Sequence, residues 1–112
     1  MKKQLSPLSD IRAKDLAELR GWKCEGSLIF PDHVCFDMKQ GFHRQHAMYH
    51  FDKNVPELNC LMNYLLLRAC CNVSREFENY EARHRFYEMK KERYGDLVDE
   101  WIDGLPMKDK RL

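Results

Sequence analysis

Pro56-Glu57-Leu58-Asn59-Cys60-Leu61-Met62-Asn63-Tyr64-Leu65-Leu66-Leu67-Arg68 is apolar almost all round, and its reading decides the fold. Proline at a first turn followed by Glu57 is a sound helix start. Leu58, Leu61, Met62 and Leu65 share one helical face while Tyr64, Leu66 and Leu67 fill the sides, which predicts a helix enclosed by neighbours. Past Asn72-Val73-Ser74, the residues Val73, Phe77, Tyr80, His84, Tyr87, Lys91 and Tyr94 recur at alternating spacings of four and three. That pattern predicts a long one-sided helix, with polar residues at two seam positions arguing against a coiled coil. Gly95-Asp96 ends or kinks it, and Leu97, Val98, Trp101 and Ile102 make a short last helix stopped by Gly104 and Pro106. The pattern leaves the continuity of the helix through residues 70–75 open.

Working back toward the N-terminus, Ser6-Pro7 reads as a helix start, and Gly21 stands where a C-terminal cap belongs, predicting a helix over about residues 7–20. From Trp22 to Asp52 the period changes to two. Ser27 to Phe30 reads as a short strand closed by the turn pair Pro31-Asp32. His33 to Lys39 alternates, with Val34, Phe36 and Met38 opposite His33, Cys35, Asp37 and Lys39, and His46 to Asp52 alternates again. The expectation is an α+β single domain over residues 1–112: an N-terminal helix, a three- or four-stranded antiparallel meander over about 22–52, a helical layer over about 56–104, and a frayed tail over 107–112.

Composition bounds the function. With 112 residues, the chain can bury roughly two-thirds of its unfolded surface without staples. Nineteen Lys and Arg stand against eighteen Asp and Glu, so a body built wholly on phosphate contacts is not expected. No apolar run reaches the about 20 residues a membrane span needs, and the N-terminus has no signal-peptide pattern, so the expectation is a cytoplasmic protein with no membrane partner. Five cysteines, three of them (Cys60, Cys70 and Cys71) in the expected apolar helix, suit a reducing compartment.

Candidate chemistry is sparse. His33, Cys35 and Asp37 share one strand face and His46 and His50 another, so a zinc site over His33, Cys35, His46 and His50 is the metal candidate, weighed against a plain wet strand face. Pro31-Asp32 with Asp37-Met38-Lys39 imitates a metal-nuclease pattern, but the two acids are too close in sequence to come from separate strands. Cys24 and Cys35 lie outside the apolar stretch as thiol-nucleophile candidates, with nothing to mark a positive neighbour. No phosphate loop, serine elbow or paired zinc knuckle is present. The remaining signal is the long helix, where Arg83, Arg85, Phe86, Tyr87, Lys90, Tyr94 and, beyond it, Trp101 form a partner-binding candidate.

The sequence therefore implies a small non-catalytic binding protein, a regulator or inhibitor of a protein partner, of the kind common among phage accessory proteins and able to pair as a homodimer. Nucleic-acid binding through the basic-aromatic helix is the alternative. A zinc-supported module on the His/Cys face is the second, with no cofactor expected otherwise.

Overall fold

The computed structural model describes residues 6–35, 39, 41–73 and 75–112. Within them the chain forms α1 (Ala13–Leu19), α2 (Gly26–Ile29), β1 (Phe42–His46), β2 (Tyr64–Arg68), α3 (Ala69–Val73), α4 (Tyr80–Tyr94) and α5 (Leu97–Asp103). Two 3-10 turns, Pro56–Leu58 and Leu61–Asn63, lead into β2.

The fold is α+β, but the expected meander is overturned. Among the described residues there is a two-stranded antiparallel sheet, β1 against β2, with Arg44 opposite Leu66 at its centre. Ser27 to Phe30, expected as a strand, is mostly the short helix α2. His33 to Cys35 are loop; the rest of that expected strand, Phe36 to Met38, lies outside the described residues. The strand expected over 46–52 lies earlier, at Phe42–His46. The helix expected at Pro56 does not form either. Its core, Tyr64 to Arg68, is β2.

The reason is burial on both faces. Leu65 and Leu67 point into the main core with Met48, Phe77, Phe86 and Val98, whereas Tyr64 and Leu66 point into a second core with Ile11, Leu16 and Ala17 from the α1 side. A strand covered on both faces shows no alternation, so its apolar run reads equally well as an enclosed helix. Asn63, fully buried just before β2, organises the turn: its carbonyl oxygen accepts the Met48 and Tyr49 N–H groups, and its amide donates to the Tyr49 and Leu58 carbonyls.

Helix C-terminal ends follow sequence more closely than the starts: α1 begins at Ala13 rather than at the expected Pro7, because residues 6–12 are turn and coil, and α4 begins only at Tyr80. Gly21, at φ 71°, closes α1 with its N–H on the Glu18 carbonyl, and Trp22 N–H reaches the Ala17 carbonyl, a Schellman pair. Asn79 caps α4 by accepting the Ala82 N–H at 2.8 Å, and Gly95, at φ 63°, ends it. The buried line of α4 is Ala82, Phe86 and Lys90, rather than the stripe through Tyr80, His84 and Tyr87. Helix α3 is separate from α4, which settles the question at residues 70–75. Among the described residues no helix is long and apolar enough to cross a membrane.

The outer edge of β2 is closed by one residue. Glu25 N–H donates to the Leu66 carbonyl at 2.8 Å, and its carboxylate Oε1 accepts the Leu66 N–H at 3.0 Å. That pair pins the segment entering α2 against the sheet, beside the start of α3.

Candidate metal centre

Pinning Glu25 fixes Cys24 next to it. After α2, a turn in which His33 N–H bonds the Phe30 carbonyl brings His33 and Cys35 back over the same spot. Helix α3, continuing directly from β2, supplies Cys71 from below. The ligand atoms of Cys24, His33, Cys35 and Cys71 all lie within 4.8 Å of one another.

The spacing can be tested against a metal. A tetrahedral zinc ion with Zn–S near 2.3 Å and Zn–N near 2.0 Å sets ligand-to-ligand edges of about 3.8 Å between sulfurs and about 3.5 Å between sulfur and nitrogen. The distances are 3.9 Å for Cys24 Sγ to Cys71 Sγ and 3.5 Å for Cys35 Sγ to Cys71 Sγ. From His33 Nε2 they are 3.9 Å to Cys24, 3.7 Å to Cys35 and 3.1 Å to Cys71. A disulfide would need sulfurs near 2.05 Å, and all five cysteines are free thiols.

The surroundings orient the imidazole. Its Nδ1 lies 3.0 Å from Glu76 Oε2, so the hydrogen bond that places the proton on Nδ1 leaves the Nε2 lone pair facing the three sulfurs. The Phe77 ring packs edge-on against it at 5.0 Å, and the His33 side chain is 5% exposed. Gly26 forms the other wall: a Cβ there would stand 2.5 Å from His33 Cδ2 and 2.7 Å from Phe77 Cζ.

Electrostatics add a separate argument. Burial pushes the Cys71 and Cys35 thiols above their ordinary range, and the thiols next to Cys71 push it further. Thiolates at Cys35 and Cys71 are disfavoured here unaided, because burial penalises the charged form of each. A divalent cation removes that penalty, and soft thiolate donors with one imidazole are the set that selects zinc. Four protein ligands would complete a zinc tetrahedron and leave no position for substrate or water.

Two of the four metal candidates read from sequence, His33 and Cys35, are in this cluster; the other two are not. His46 bonds Asn59 Oδ1 through Nε2 at 2.8 Å and packs between the Phe51 and Tyr64 rings, and His50 is an exposed loop residue. The sequence marks Cys24 only as a thiol-nucleophile candidate and Cys71 only as a core thiol. The available signal was Cys24-x8-His33-x-Cys35, two ligands bracketing a short helix.

The partner-binding candidates on and beyond α4 are occupied within the chain. Arg83 donates to the Met48 and Arg111 carbonyls, and Arg85 to the Ile29 carbonyl and to Glu81. Phe86 is buried, Tyr87 donates to Asp99, and Tyr94 accepts from Arg20. Lys90 is fully buried with its Nζ on the Leu61 carbonyl, and Trp101 is buried and bonds the Glu57 carbonyl through its indole N–H. Asp32 is an exposed turn residue, and Asp37, needed by the nuclease-like pattern, lies outside the described residues. Comparison with known protein families, curated proteins and solved structures finds no match for this chain.

Proposed function

We propose that this chain is a zinc-supported, non-catalytic binding module. Zinc held by Cys24, His33, Cys35 and Cys71 ties the α2 segment and the loop after it to α3, and the module works by engaging a protein partner rather than by turnover. The observation that carries the reading is the convergence of three sulfurs and one imidazole nitrogen within 4.8 Å, on separate segments of the chain. A coordination sphere filled by protein favours a structural over a catalytic role. Support for a binding role comes from the segment the metal brackets: Leu28 and Val34 are large apolar side chains left in solvent there, as is Val73 just past Cys71.

Cobalt(II) substitution tests the proposal. The zinc-free chain refolded with one equivalent of cobalt is expected to show the intense visible bands of a tetrahedral thiolate site. Cys71→Ser and Cys24→Ser are expected to weaken and shift them, whereas the paired substitution His46→Ala with His50→Ala leaves them unchanged. Octahedral, weakly absorbing cobalt in the parent chain would overturn the reading.

A further inference from the structure

On the solvent side of Cys24 the chain forms a pocket of about 180 Å³ lined by Arg20, Lys23, Ser27, Leu28 and Arg93 together with Cys24 and Glu25. We propose that this pocket binds a phosphoryl group, as inorganic phosphate or a phosphate monoester.

The charge balance is the first argument. Three cations converge here against a single carboxylate, Glu25, whose Oε2 lies 3.4 Å from Arg20 Nε and 3.6 Å from Arg93 Nη1. Both contacts are ion pairs without hydrogen-bond geometry, and both Arg20 Nε and Glu25 Oε2 are buried with no hydrogen bond. The other carboxylate oxygen is spent on the Leu66 N–H. Lys23, exposed at the mouth, has no acidic partner among the described residues.

Lys90 is not a lining residue but feels the same charged groups. It sits in the buried interior with its Nζ on a backbone carbonyl. Burial brings its amine down to about 7, and Arg93 and Arg20 push in the same direction while Glu25 opposes them. Within the lining, Glu25 is the single carboxylate beside Arg20, Lys23 and Arg93, so it carries less charge than the three cations around it. A dianionic phosphate at the mouth supplies the missing charge. Two guanidiniums, an ammonium and the Ser27 hydroxyl are the donor types that recognise its oxygens.

The proposal rests on the metal reading in one respect. The wall bearing Ser27 and Leu28 is α2, which hangs between the ligands Cys24 and His33.

The test is an amide NMR titration of the zinc-loaded chain with inorganic phosphate, phosphoserine and AMP at constant ionic strength, with zinc content measured on every sample. Saturable shifts at Lys23, Ser27 and Arg93, with a dissociation constant on the order of 1 mM, are expected for at least one of the three. The arm that binds tightest tells free phosphate from a phosphorylated side chain or a nucleotide. Lys23→Gln, a change at an exposed side chain that leaves folding untouched, and Arg93→Gln are each expected to weaken binding about tenfold, whereas Arg12→Gln, remote from the pocket, does not. Shifts that never saturate, that chloride reproduces, or that survive both pocket substitutions overturn the proposal. In a zinc-loaded chain those results count against the pocket alone. A zinc-free, folded chain that binds phosphate normally supports the pocket and refutes the metal's part in shaping it.

Discussion

Gly26→Ala puts one methyl group where the packing leaves no room for one. The new Cβ would lie 2.5 Å from His33 Cδ2, 2.8 Å from His33 Nε2 and 2.7 Å from Phe77 Cζ. Carbon atoms pack at about 3.5–4.0 Å, so the imidazole must retreat by roughly 1 Å or α2 must move bodily. Metal–ligand distances tolerate about 0.2 Å, so a shift of that size removes Nε2 from the coordination sphere. Phe77 cannot absorb the strain, being 1% exposed in the main core. Overpacking of this kind costs about 1–3 kcal/mol in the metal-free chain. The displaced ligand lowers zinc affinity by about a hundredfold or more, beyond what loss of an outer-sphere partner does, which is about 2.7 kcal/mol of binding. Competition for zinc against a chromophoric chelator reads the second effect, and melting with and without zinc separates it from the first. Gly41→Ala is the control, since a Cβ there meets nothing within 4 Å. Parent-like zinc affinity and melting temperature in Gly26→Ala would refute the packing and the ligand assignment together.

Three further outcomes are expected. Glu76→Gln weakens the acceptor that orients His33 and lowers zinc affinity about tenfold to a hundredfold in the same competition assay, with the fold intact by circular dichroism. Asn63→Ala strands two backbone N–H groups and two carbonyls in the interior and costs at least about 3 kcal/mol by urea unfolding of the zinc-loaded protein. Lys90 gives a pH signature. Its folded-state amine is lowered to about 7 from 10.5, so between those values the unfolded chain binds the extra proton and stability rises with pH, while below about 7 both states are protonated and the effect is flat. Unfolding free energies of the parent minus those of Lys90→Met, measured from pH 6 to 10, are expected to climb by a few kcal/mol at most. A flat difference would show that Lys90 keeps an ordinary affinity for its proton.

The parts of the fold that were legible in the sequence are those set by local chemistry. Gly21 and Gly95 end helices because the backbone there needs a positive φ, and the order of helical and non-helical regions around Gly95 follows. What stayed hidden depends on tertiary cover. Tyr64 to Leu67 is a strand sealed on both sides, so its side-chain period of two left no trace in its hydropathy. Lys90 reads as part of a basic-aromatic partner-binding face, yet it is the innermost residue of α4, next to Phe86 and Tyr94. The metal centre was half legible for a similar reason. His33 and Cys35 stand two apart and invite pairing, whereas Cys24 and Cys71 reach them only through the Glu25–Leu66 contact and the β2–α3 junction. His46 and His50 satisfied the same alternation rule and served as decoys, because the strand face that would have joined them to His33 does not exist among the described residues.

The most direct test is the metal content of the purified chain, followed by its fold after chelation. One zinc per chain is expected by elemental analysis, lost on treatment with a strong chelator together with the cooperative unfolding transition, and both restored by added zinc. A chain that is purified without metal, binds none when zinc is supplied, and unfolds identically with and without chelator would contradict the zinc assignment.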